Sequence, residues 1–369
     1  MIRQIPMTDR ERYIPTILGR DVDRPSYDPC YWTPWPTTWQ RWRREGMTFA
    51  DFGQVERHVG ADASRHGIPV ICGPCPPIEV RTIEEDDRFR IWIDPWGIKR
   101  RNFKDAESMS QFLEFPVKGW DDWRRFKGER LDPHHPRRLA GDWRQRSAEW
   151  MRQEVPIRLG HYPEVGVFGS VRWLLGDEEC LLAFYTEPDL VRDIMNTMTD
   201  IYVTVFEAVC SEVRVDEIHI WEDMSGRQGP LISPAHWEEF MGPCYRRIQA
   251  VARKHRVPLV SVDTDGNPDL IIPPMLGSGV NMLFPLEVAA GSDINVFQKK
   301  HPAMGFLGGI DKRALAVGPD AIDRELDRVA RAVAAGKYLP ALDHLIPDDV
   351  SWPNFLHFAA GLRRLVGKQ

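Results

Sequence analysis

The alternation of hydrophobic and polar positions changes its rhythm near residue 155. Before it, apolar residues are broken up by proline, tryptophan and charge, as in 31–42 and 120–123, and only short extended pieces stand out, at 69–72 and 91–96. Beyond it, short apolar runs alternate with longer amphipathic stretches, the pattern of strand–helix units that feed a parallel sheet. Strands are expected at 155–159, 217–221, 258–262, 280–284, 304–308 and 338–342, and helices at 188–213, 234–254, 321–335 and 353–365. Ser233 before Pro234 marks a helix entry, because a serine oxygen accepts an orphan amide hydrogen and proline has no such hydrogen. The stretch 121–146 alternates in charge sign and reads as a solvated helix or loop. The fold class that follows is α/β, a (β/α)8 TIM barrel with an irregular Trp/Pro-rich N-terminal extension. One domain over 1–369 is expected, in which 1–150 holds the extension and early barrel elements and 151–369 the regular units.

Composition narrows the function classes. A net charge of -6 provides no basic field for nucleic acid or anionic lipid, so neither is expected as a partner. No apolar run approaches the roughly 18–20 residues that span a bilayer. Residues 1–18 are interrupted by charge and proline and lack the apolar core of a signal peptide, so a cytoplasmic protein is expected. The six cysteines are scattered, unlike a secreted disulfide framework. Cys72-Gly-Pro-Cys75 has the spacing of a redox pair, yet Pro76 and Pro77 follow and no helical pattern begins there. The helix N-terminus that activates such a thiol is therefore not expected, and no second Cys pair completes a zinc knuckle.

The strand ends carry the chemistry. Glu222 and Asp223 follow one expected strand, Asp263 and Asp265 the next, then Glu287, then Asp311, then Asp343 with His344. In a parallel barrel these positions face one mouth. A single acid there can simply cap the next helix, whereas five successive acidic strand ends read as an active site. Successive residues at a strand end point to different sides, so Glu222 or Asp223 should enter the mouth as acid or base. Arg172 could clamp a carboxylate or phosphate or form an ordinary ion pair. Asn267 could bind substrate or form a turn. Asp343 could orient the His344 ring. His219, inside a strand, reads as a core or near-site histidine.

The segments Asp263-Thr-Asp-Gly-Asn267, Gly279-Val-Asn-Met-Leu-Phe-Pro-Leu-Glu287, Gly308-Gly-Ile-Asp-Lys312 and Asp343-His-Leu-Ile-Pro347, in this order, resemble the uroporphyrinogen decarboxylase-like superfamily. The phrase from Gly229 to Phe240 is similar to its helix entry after the acidic strand end. The likeness covers roughly 160–365. It implies a barrel active site with Glu222, Asp223, Asp265 and His344 as catalytic groups and Arg172, Asn267, Asp311 and Asp343 as substrate contacts. That superfamily contains methyltransferases acting on cobalamin or thiols. In its zinc enzymes the segment matching 263–267 carries a His-x-Cys pair, and a cysteine stands at about the place of His344. The resemblance therefore implies an oxygen-rich metal set of Asp263, Asp265, Glu287 and His344, with zinc first among the candidate divalent ions. It also implies a corrinoid carried by a partner protein, a small methylated substrate and room for a homodimer. The alternative is cofactor-free decarboxylation of the uroporphyrinogen type in porphyrin biosynthesis. An acidic mouth opposes such a polyanion, and Arg3, Arg10, Arg12 and Arg20 do not form the arginine-rich loop of those enzymes. A third reading is a ligand-binding barrel without turnover.

Overall fold

The computed structural model describes residues 7–63, 66–104, 109–139 and 141–368, so Arg3 lies outside the described residues. Among these, seven parallel strands form one sheet whose spatial order follows the chain. They are β1 (His66–Ile68), β2 (Ile157–Leu159), β3 (Glu217–Trp221), β4 (Leu259–Asp263), β5 (Met282–Leu286), β6 (Gly305–Ile310) and β7 (Tyr338–Leu342). Alternation along the strands sorts their side chains into two layers. Ile218, Ile220, Val260, Val262 and Leu283 face the surrounding helices. Leu259, Met282, Phe284, Leu307, Leu339 and Ala341 face a lumen, where they pack with Tyr13, Ile14 and Ile17 of the helix Asp9–Leu18. That helix covers the N-terminal ends of the strands, since Tyr13 reaches Glu217 and Ile17 lies against Gly305. Each large aliphatic side chain so buried contributes roughly 1.5–3 kcal/mol, which fixes the register of an otherwise short-stranded sheet.

The eighth strand of the expected barrel is not found among the described residues, and the sheet is open between β7 and β1. The chain that runs toward this gap carries Pro25, Pro29, Pro34 and Pro36, which have no amide to donate to a ladder. It makes one parallel bridge, Pro34 to Ile346. The first 150 residues are also more ordered than an irregular extension. They hold β1 and a four-stranded antiparallel sheet of Arg81–Glu85, Phe89–Ile93, Lys99–Phe103 and Gln111–Glu114. The extended piece expected at 91–96 falls on this second sheet, and the one at 69–72 follows β1. The charged stretch 121–146 overlaps two helices, Trp120–Arg130 and Trp143–Arg152, pinned by the buried Trp123 and Trp143.

Later elements lie close to their expected positions. β3 and β7 coincide with them, while β5 starts two residues late because Gly279, at φ +96°, turns the chain first. The helix expected over 234–254 is interrupted by a π turn at Trp237–Met241, just before Pro243, whose missing amide breaks the regular ladder. Among the described residues no helix is long and apolar enough to cross a membrane.

Candidate active site

The C-terminal ends of β3, β4, β5 and β7 bring Asp223, Asp265, Glu287 and His344 to one rim. Asp265 Oδ1 lies 3.6 Å from His344 Nε2. Burial, reinforced by the negative charges of Glu287 and Asp223, pushes the Asp265 carboxyl up to about 7, although Lys312 and Arg172 oppose the shift. His344 stacks on Trp32, with ring centroids 4.9 Å apart and planes at 22°. Burial, then the Lys312 charge, brings its imidazole down to about 4. At neutral pH the rim therefore holds a carboxyl that is about half protonated beside a neutral imidazole.

Backbone amides hold this rim together. Glu287 Oε2 accepts the Gly266 amide at 2.8 Å. Gly266 has φ +76°, and a Cβ there would come within 2.6 Å of the Ser225 and Gly226 carbonyl oxygens, so only glycine fits. Asp343 is buried and accepts the amides of Val288 and Lys312, both at 3.1 Å, which ties the ends of β5, β6 and β7. The expected role of Asp343 in orienting the His344 ring is thus replaced by a structural one, because both its oxygens are engaged by main chain.

Four other candidate residues find partners within the chain. Glu222 is fully buried and caps the helix Val167–Leu175, accepting from the Val167 amide at 3.0 Å, the Gly169 amide at 2.9 Å and the Tyr245 hydroxyl at 2.5 Å. Of the pair, Asp223 reaches the rim and Glu222 does not. Asp223 sits in the left-handed region at φ 45° and accepts from Arg172 Nη1 at 2.7 Å, while Arg172 Nε donates to Asp177 at 2.6 Å. The arginine expected to clamp substrate is therefore held by two acids of the chain itself. Asp311 caps the helix Lys312–Val317 through the Arg313 amide and pairs with the Arg313 guanidinium, so its helix-capping role accounts for its position. Asn267 accepts the Asp269 amide at 3.2 Å and forms a turn.

The four residues expected to hold a metal do not fit one as they stand. Asp263 Oδ2 faces His219 Nε2 at 3.8 Å, Asp265 faces His344, and Glu287 is engaged by Gly266. Among the described residues no group of three His, Cys, Asp or Glu side chains lies close enough to share an ion, whereas a zinc site needs ligands at about 2.0–2.3 Å. The Cys72 and Cys75 thiols are both pushed up, by burial first, and Cys75 Sγ lies 3.1 Å from His135 Nδ1. No helix starts at either one, so the activating field of a redox pair is missing.

Sequence reasoning passed over the polar lining of the lumen. Tyr13 Oη donates to Glu217 Oε2 at 2.9 Å and Ser261 Oγ donates to Glu217 Oε1 at 2.5 Å. Because the Ser261 proton is committed to Glu217, its oxygen accepts from His219 Nδ1 at 3.2 Å. The result is a buried polar column from the closing helix to Asp263 at the rim. An aromatic wall runs beside it, from His219 stacked on Phe284 at 5.1 Å, through Tyr31 and Trp32, to His344. The available signal was the period of two: Glu217, His219 and Trp221 share one face of a strand, as do Ser261 and Asp263. A cavity of about 690 Å³ lined by Phe115, Trp120, Leu175 and Leu190 lies apart from this rim and shares none of its residues.

The family model described as Uroporphyrinogen decarboxylase (URO-D) matches residues 175–364. A solved methyltransferase from Methanosarcina mazei is similar over 97% of this chain and 99% of its own, with 14% identity and a TM-score of 0.61. A B12-independent methionine synthase from Shewanella sp. W3-18-1 is 10% identical over 85% of this chain and 84% of its own, with a TM-score of 0.41. No curated protein matches.

Proposed function

The chain belongs to the uroporphyrinogen decarboxylase family, and from that premise we propose that it is an enzyme of methyl transfer, moving a methyl group from a small methylated compound to a corrinoid or thiol acceptor at the barrel rim. The observation that carries this reading is the pairing of Asp265 with His344 at 3.6 Å on an acidic rim. A methyl group bound to oxygen or nitrogen leaves its heteroatom readily only when that atom is protonated as the bond breaks. Asp265, titrating at about 7, retains a proton for this purpose at neutral pH. In the proposed step the Asp265 proton goes to the substrate heteroatom, the carbon–heteroatom bond breaks, and the acceptor, which supplies the nucleophile, takes the methyl carbon. Asp265 is left as a carboxylate, which regains its proton from solvent. Neutral His344, held flat against Trp32, orients that carboxyl without competing for charge.

The test is incubation of the full chain with O-methyl and N-methyl donors and either cobalamin in its reduced form or a thiol, with demethylated product followed by chromatography. Product should form, and Asp265→Asn should lower its rate by about a hundredfold or more. No product from any donor, or a variant as fast as the native chain, would overturn the assignment. A second reading is cofactor-free decarboxylation. It is favoured by the same protonated carboxyl, because a carbon that loses carbon dioxide must take up a proton. Formation of coproporphyrinogen from uroporphyrinogen, or of carbon dioxide from a simpler acid, would select it.

A further inference from the structure

Arg158 is the middle residue of β2, in register with Gly67 of β1 and Glu217 of β3. Its neighbours Ile157 and Leu159 are buried in the helix-facing core, so alternation turns Arg158 into the lumen. Among the described residues its guanidinium makes no hydrogen bond and no ion pair, and its Nε is buried with no acceptor. Burial works against its charge, while Glu217 and Asp263 are near enough to sustain it electrostatically. Neither supplies a direct contact, and both Glu217 oxygens already accept hydroxyls, from Tyr13 and Ser261. Arg158 as a residue is half-buried, but its Nε is buried without an acceptor, which is costly, and the usual remedy is a planar partner that takes two guanidinium N–H groups at once.

There is room for such a partner. A side chain at Gly67 would meet nothing within 4 Å, and both Gly67 and Pro69 are exposed, so the lumen beside Arg158 opens on the β1 side. His219 of the neighbouring β3 stacks on Phe284 of β5, a flat aromatic face suited to a small planar body. The charge required is also bounded, because Glu217 and Asp263 share this space and would repel a dianion.

We propose that Arg158 is a specificity residue that binds a single carboxylate of the substrate in the barrel lumen, below the Asp265–His344 pair. The inference rests on reading that rim as the site of reaction, and it narrows the substrate to a small monocarboxylic acid. The carboxylate enters from the β1 side, and its remaining body lies along the aromatic wall with the reacting group toward Asp265. The guanidinium fork matches two carboxylate oxygens, which an amide cannot imitate.

Calorimetric titration of the full chain with acetate and benzoate, each compared with its neutral amide, tests this without any turnover. One or both carboxylates should bind about tenfold or more tightly than the corresponding amide. Arg158→Gln should abolish that preference while leaving amide binding unchanged, and Arg158→Lys should retain part of it. Amides that bind as well as the acids, no measurable preference for either carboxylate, or an Arg158→Gln chain that still discriminates would each overturn the proposal. If Arg158→Gln fails to fold, as judged by thermal unfolding, the comparison of acid with amide in the native chain and in Arg158→Lys decides alone. Carboxylate binding without methyl transfer would sink the reaction and keep the anchor. Methyl transfer without a carboxylate preference would sink the anchor alone.

Discussion

At the scale of single residues, the rim is a contest for protons. Asp265 is pushed up to about 7 by burial and by two neighbouring acids, while burial and Lys312 lower His344 to about 4, so the proton resides on the carboxyl. If Asp265 acts as the acid, kcat/KM should fall tenfold per unit as pH rises above about 7, and Asp265→Asn should lose that limb along with most of the activity. A profile with the same limb in the variant would assign the titration to another group. Some of this was legible in the sequence, because each rim acid follows an apolar run. The division between Glu222 and Asp223 was not, since the strand period says that adjacent residues diverge without saying which one meets the lumen. Arg158 was hidden for a related reason: a lone cation inside a short apolar strand resembles an edge position until its neighbours are known to face helices.

At the scale of elements, the ends of β5, β6 and β7 are held in relation by one carboxylate. Asp343 accepts amides at the starts of the two segments that follow β5 and β6. Asp343→Ala would leave two partly buried amides without acceptors, at a cost of about 2–4 kcal/mol, read as a lower midpoint in urea with an unchanged slope. An unchanged midpoint would mean that these amides find water at no penalty. The metal expectation belongs to this scale too, because its four residues come from three strand ends, those of β4, β5 and β7, and are aimed at different partners. Purified protein should hold well under one divalent ion per chain, and dialysis against a chelator should leave turnover unaltered. A stoichiometric ion retained by the native chain and lost in His344→Ala would show that these loops rearrange around it. After residue 155 the strands were legible as short apolar runs because they are buried on both faces, and the helices because one face of each is buried. The antiparallel sheet was not, because its first strand is exposed along its whole length and carries no such period.

For the whole molecule, the acids raised on folding couple stability to pH in a direction opposite to the usual one. Most paired carboxylates, such as Asp62 between Arg24 and Lys368, are lowered on folding and lose their stabilisation only as pH falls below the ordinary carboxylate range. Glu222 and Asp265 are instead raised to about 7, and Asp343 to about 6, in each case by burial first. The folded chain therefore binds more protons than the unfolded chain between the ordinary carboxylate range and about 7. The stabilisation from these three groups is full at the acid end of that window and is lost as pH rises through 6 and 7. His344 works the other way, but it is already neutral above its unfolded value near 6.5 and adds no slope from there upward. Between pH 6.5 and 8 the raised acids dominate among these groups, so the free energy of unfolding in urea should decline and then level off. Asp265→Asn should reduce the decline, because an amide has no proton to lose. A native chain that is more stable at pH 8 than at 6.5 would mean that these carboxyls ionise in place, and that the rim is wetter than its packing against Trp32 and the surrounding strand ends implies.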